Sequence, residues 1–150
     1  MKLIALSRRA IEGADLQSGP ACVAICIAYP TGRFHKVEAF GSLLAVHHTR
    51  FSDCDGEGRW SFPENKDNDA AIPMTRGQAI DVLDFVEKWR GKVETIYAAC
   101  YGGVSRSRGI LAGLAAIHGW DDAELYASGQ PNAWCKTLLI REARADAGGV

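Results

Sequence analysis

Cys100 and Arg106 bracket the five residues Tyr101-Gly102-Gly103-Val104-Ser105, and Ser107 follows directly. A loop of this length can curl so that successive N–H groups, from Tyr101 to Arg106, point at one centre and form an anion nest. Gly102 and Gly103 permit the positive φ values and close approach that such a curl needs. Arg106 adds a planar fork able to grip two phosphate oxygens at once. Cys100 then stands at the floor of a positive field, which favours the thiolate over the thiol. A thiolate beneath a bound phosphate, opposite the leaving oxygen, is placed for in-line attack and a phosphocysteine intermediate. Ser107 is placed to donate a hydrogen bond to the sulfur and help it leave in the second step.

These residues need a scaffold, and the flanking sequence supplies one. Val93 to Tyr97 is a run of β-formers that continues through Ala98 and Ala99 to the cysteine, and Arg106 to Ile117 has helical spacing. Strand, tight loop and helix is the arrangement that aims unpaired first-turn amides at an anion. A lone cysteine six residues before an arginine usually means a buried small hydrophobe and a surface charge. Here the loop glycines, Ser107, the strand before and the helix after all favour a phosphate-binding loop.

The segment Cys100-Tyr-Gly-Gly-Val-Ser-Arg106-Ser107 resembles the phosphate loop of the cysteine-dependent protein tyrosine and dual-specificity phosphatases. Continued through Arg108-Gly109, it is closest to small bacterial and phage members. The likeness runs in outline from about residue 43 to 140, taking in Gln78-Ala79, Asp84-Phe85-Val86 and Pro131-Asn132. It implies a metal-independent phosphomonoester hydrolase with no cofactor, acting on a phosphorylated protein or a small phosphomonoester. Residues 101–106 would bind the phosphate, and Cys100, Arg106 and Ser107 would act on it. The family also uses an aspartic acid on a movable loop to protonate the departing oxygen. Phe51-Ser52-Asp53 resembles the Phe-x-Asp that ends the equivalent strand in small bacterial members, so Asp53 is the first candidate. Asp55, Asp67 and Asp69 are the alternatives. The Trp-Pro-Asp of the larger tyrosine phosphatases is missing, and Ala99 stands where the family usually has His. That last departure fits an alternative function, a weak or inactive phosphate-binding pseudophosphatase. A rhodanese-type sulfur carrier also uses a cysteine loop, but usually one residue shorter and without the Arg-Ser ending.

The rest of the composition narrows the setting. A chain of 150 residues is most simply one domain, 1–150, with enough length to bury a core. A net charge of −1 gives no general attraction to nucleic acid or anionic membrane, so any anion site must be local. No apolar stretch reaches the ~18 residues of a membrane span, and the N-terminal apolar run is too short for a signal peptide. A cytoplasmic protein is expected, with nothing to indicate its oligomeric state. The five cysteines (22, 26, 54, 100, 135) and four histidines (35, 47, 48, 118) show no zinc spacing. Cys22 and Cys26 are expected as buried thiols on one face of a strand, and His47 and His48 on opposite faces. Cys54, beside Asp53, could bridge to an oxidised Cys100 only if it faced the site, and neighbours on an extended loop face opposite ways.

In chain order, Lys2–Leu6 reads as a strand and 8–16 as a short helical segment. Residues 21–29 form a continuous apolar run of the kind buried on both faces of an α/β sheet. Leu43 to Phe51 reads as another strand, with Leu43, Leu44, Val46 and Phe51 as core candidates. A polar, turn-rich loop spans 52–73 and has the length of a functional lid. Thr75 caps a helix whose stripe is Val82, Phe85, Val86 and Trp89, ended by Gly91. After the 106–117 helix come Gly119, a short helix capped by Asp121 or Asp122, and a final helix to about Ala145. The alternation implies a mostly parallel sheet of four or five strands with helices on both faces. Ligands in such sheets bind beyond the carboxyl ends of the strands, so the 100–106 and 52–58 loops can share one crevice.

Overall fold

Strand β2 (Cys22–Ala28) is buried along its whole length. Its alternation still sorts side chains: Val23, Ile25 and Ile27 join the larger core on one face, and Cys22, Ala24 and Cys26 the smaller core on the other. A strand apolar on both faces needs cover on both. The remaining strands are β1 (Lys2–Ser7), β3 (Leu43–Arg50) and β4 (Thr95–Cys100). The four pair entirely in parallel in the order β1-β4-β2-β3, as seen in a computed structural model that describes residues 1–62 and 71–148. Parallel pairing puts all four carboxyl ends on one edge.

The larger core is roofed by α2 (Arg76–Trp89), α3 (Arg106–His118) and α5 (Ala133–Gly148). The smaller face is covered by α1 (Arg8–Gly13) and by chain around Leu16 and Val37, and α4 (Ala123–Ala127) flanks α3. Helix α3 is buried from Arg106 through Ala115, and each of Ile110, Leu111 and Leu114 removed from water contributes about 1.5–3 kcal/mol. Its end is set by Gly119 at φ 74°, a left-handed residue past the last turn. Thr75 caps α2 as expected: its hydroxyl accepts from Gln78 N while the Gln78 side chain accepts from Thr75 N.

Two details differ from expectation, the burial of Leu44 and the end of the last helix. Leu44 is an exposed residue, not a core one, because the β2–β3 register slips: Cys22 faces Leu43, Val23 faces Ala45, and Leu44 is the extra residue of a bulge. The slip lets Leu43 and Val46 share a face while His47 packs at a tilt against Phe85 of α2 and His48 stacks on Phe34 of the opposite layer. Of the two expected caps for α4, Asp121 is the one used: its Oδ1 accepts from Ala123 N, while Asp122 makes no capping bond. Helix α5 runs to Gly148, beyond Ala145. No helix of the described residues is long and apolar enough to cross a membrane.

Candidate active site

The turn from β4 into α3 is shaped by one glycine. Gly103 has φ +69°, and a Cβ there would lie 2.6 Å from Leu6 C and Ser7 N at the end of β1. Gly102 has neither constraint: its φ is not positive and the nearest atom to an added Cβ is Val104 Cγ2 at 3.7 Å. Only the second glycine of the pair is therefore required by the curl. The amides of residues 102–106 make no hydrogen bond to the described residues. Ser105, at the N-cap of α3, makes no side-chain capping bond, so the first-turn amides stay free at the positive end of the helix.

Cys100 and Arg106 meet at the carboxyl edge of the sheet, and both are almost fully buried. Arg106 Nη1 donates to Phe51 O at 2.9 Å and to Ala28 O at 3.5 Å, the carbonyls where β3 and β2 end. Its guanidinium lies 4.6 Å from the centre of the Tyr29 ring. All its hydrogen bonds to described residues run through Nη1, which leaves Nε and Nη2 as a fork for an anion. The Cys100 thiol donates to Ser107 Oγ at 3.3 Å; once ionised, the sulfur becomes the acceptor of the same contact.

Asp53 lies in the same crevice. Its Oδ1 accepts from Ser105 Oγ at 2.6 Å and from Asn132 Nδ2 at 2.8 Å. Asp55 does not reach the site: it sits in an exposed turn, where Arg59 holds its carboxyl below the ordinary range. Asp67 and Asp69 lie outside the described residues. Cys100, Tyr101, Gly102, Val104, Ser105, Arg106 and Asp53 line one cavity of about 260 Å³, completed by Tyr29, Trp60 and Phe62. The three aromatic walls come from beyond β2 and from the 52–62 loop; the loop was expected as a functional lid, whereas nothing in the sequence pointed to Tyr29.

The surroundings explain how the loop is held. Arg108, nearly buried, donates from Nε to Gly103 O at 2.8 Å and from Nη1 to Glu124 O and Leu125 O at 3.1 Å each. The loop is thereby tied to α4 by a residue the sequence reading left without a role, although Ser-Arg-Ser-Arg carries it in plain view. Ala99 points to the other face of the sheet, among Ile11, Leu16 and Cys26. Cys54 is buried but does not line the cavity, so it turns away from the site as Asp53 turns toward it. Burial first, then Asp55 and Asp53, push its thiol up to about 11. Cys22 and Cys26 are buried thiols on the smaller core, and burial pushes Cys26 up to about 12.

No protein-family model matches the chain, and no curated protein matches its sequence. Solved structures do match. A crystal structure of PTPMT1 aligns over 99% of this chain and 96% of that one, with 14% identity and a TM-score of 0.50. Another, of PTPMT1 in complex with PI(5)P, aligns over 87% of this chain and 81% of that one, with 17% identity and a TM-score of 0.49. The fold is that of the tyrosine and dual-specificity phosphatases.

Proposed function

We propose that the chain is a metal-independent phosphomonoester hydrolase acting through a phosphocysteine on Cys100. The observation that carries this is the convergence in one cavity of the Cys100 sulfur, the unpartnered 102–106 amides, the free edge of Arg106 and the Asp53 carboxyl. In the first step the amides and Arg106 hold the phosphate oxygens. The Cys100 thiolate forms the S–P bond as the P–O bond to the leaving group breaks, and the leaving oxygen takes its electron pair and a proton from Asp53. In the second step water attacks phosphorus and gives a proton to Asp53. The S–P electrons return to sulfur, which Ser107 Oγ–H then stabilises. The amides and Arg106 supply positive charge where the transferring group carries negative charge, so the scheme needs no metal.

The substrate class is a phosphorylated protein or a small phosphomonoester, and neither nucleic acid nor membrane is a partner. The location is cytoplasmic, where a reactive thiolate is kept reduced. Purified protein should hydrolyse an aryl phosphate in the presence of EDTA, and Cys100→Ser should abolish turnover. Full activity in that variant would reject the scheme.

Ala99 in place of the His of related enzymes favours a second reading, phosphate binding without turnover. Sulfate or phosphopeptide binding that depends on Arg106, with no hydrolysis above background, would select it.

A further inference from the structure

Asp53 Oδ1 takes two donors while Oδ2 makes no hydrogen bond to the described residues. We propose that Asn132 is a positioning residue for the hydrolysis described above: its amide fixes which oxygen of Asp53 carries the proton to the leaving group. The inference rests on Asp53 being the general acid.

In a neutral carboxyl one oxygen is the carbonyl and accepts, and the other carries the proton. Ser105 Oγ at 2.6 Å and Asn132 Nδ2 at 2.8 Å both address Oδ1. Ser105 Oγ could turn to accept from a protonated Oδ1, but the Asn132 amide can only donate; its N–H would then face an O–H, so the carbonyl character stays on Oδ1 and the acidic O–H on Oδ2. The orientation of the Asn132 amide follows from its partners. Oδ1 of Asn132 accepts from Cys135 N at 3.0 Å, at the start of α5. On the other side lie the Asp53 carboxyl and Cys54 O, the latter 3.1 Å from Nδ2, and both are acceptors. A flipped amide would lose all three contacts.

Asn132 is itself held rigidly. It is buried, and its backbone N donates to Ser105 O at 3.0 Å. Its backbone lies so close to Gly109 that a Cβ there would come 2.6 Å from Asn132 O. The residue that grips the acid is thus fixed to the first turn of α3, the same turn that ends the phosphate loop. The spacing between proton donor and phosphorus is set by the α3–α5 junction rather than by the 52–62 loop alone.

The test compares wild type, Asn132→Ser, Asp53→Ala and the double variant on two substrates. Phenyl phosphate has a leaving phenol near pKa ~10 and needs the proton; 2,4-dinitrophenyl phosphate leaves as the phenolate and does not. Serine keeps a cap acceptor for α5 while removing the donor to Asp53. The expected result is a loss in kcat of about 10–100-fold on phenyl phosphate with KM nearly unchanged, and little loss on the dinitrophenyl ester. That loss should vanish in the Asp53→Ala background. Equal losses on both substrates, or additive losses in the double variant, would overturn the proposal while leaving the hydrolase intact. If Asn132→Ser does not fold, Asn132→Thr also keeps a cap acceptor without adding charge beside Asp53, and the same leaving-group split decides. A wild type that turns over neither substrate sinks the hydrolase reading, and the positioning role with it.

Discussion

Gly103 presses against the peptide joining Leu6 to Ser7, so the 100–106 loop is stacked on the end of β1 with no room for a side chain. The same junction carries a second tie, Arg8 N donating to Tyr101 O at 3.1 Å. Gly103→Ala meets two obstacles: a left-handed φ that costs an L-residue about 1–2 kcal/mol, and backbone atoms that cannot step aside. The expected outcome is a drop in activity of about 100-fold or more, as the amides lose their common centre. Gly102→Ala, which meets only Val104 Cγ2, should stay within a few-fold of wild type. Steady-state kinetics with a thermal melt of each variant checks this, and equal losses in both would mean that the loop is not anchored on β1.

Arg108 supports three carbonyls at once, on Gly103, Glu124 and Leu125. Arg108→Ala strands acceptors in a nearly closed space, and the expected destabilisation is about 2–4 kcal/mol by urea unfolding. Because one of the three carbonyls belongs to the loop proposed to hold the phosphate, activity should fall even under conditions where the variant is fully folded. Arg108→Lys keeps the charge but not the fork, and should recover only part of either loss.

These two residues also show where sequence is informative and where it is not. The turn that brings Cys100 and Arg106 together was legible because β4, the loop and α3 are contiguous, so spacing alone fixes their geometry. Gly103 could not be told from Gly102, because what separates them is the end of β1, almost a hundred residues earlier. Tyr29, Trp60 and Phe62 reach the cavity only because the order β1-β4-β2-β3 sets the ends of β2 and β3 beside Cys100. Asp53 was reached through a family likeness. Its partners Ser105 and Asn132 lie 52 and 79 residues away, beyond any local pattern. Leu44 was misplaced for a related reason, since a bulge is a property of the pairing and strand periodicity cannot reveal it.

The last prediction concerns His35, which lies in the segment leading to β3 and is 4% exposed. Neither ring nitrogen has a hydrogen-bond partner among the described residues. Burial first, then the charge of Arg8, with smaller contributions from His48 and Arg106 and an opposing one from Glu12, pushes its pKa down to about 4. The unfolded chain takes up this proton near pH 6.5, whereas the folded chain resists it until about pH 4. Between those values the unfolded state binds more protons, so stability rises with pH; it is fully present above 6.5 and lost as the pH falls toward 4. Integrated from pH 7 to pH 5, this one site contributes a loss of about 2 kcal/mol. Burial lowers His47, His48 and His118 as well, so the whole protein should lose more than that. His35→Leu isolates the share of His35. Urea unfolding at pH 7 and pH 5 should show a variant whose stability difference between the two is smaller than that of wild type by about 2 kcal/mol. The segment around it should open first in acid, because Arg8 holds it through Arg33 O and Phe34 O and would then face a second positive charge. An unchanged pH dependence in His35→Leu would mean that the ring finds a partner for its proton in solution and that acid lability arises elsewhere.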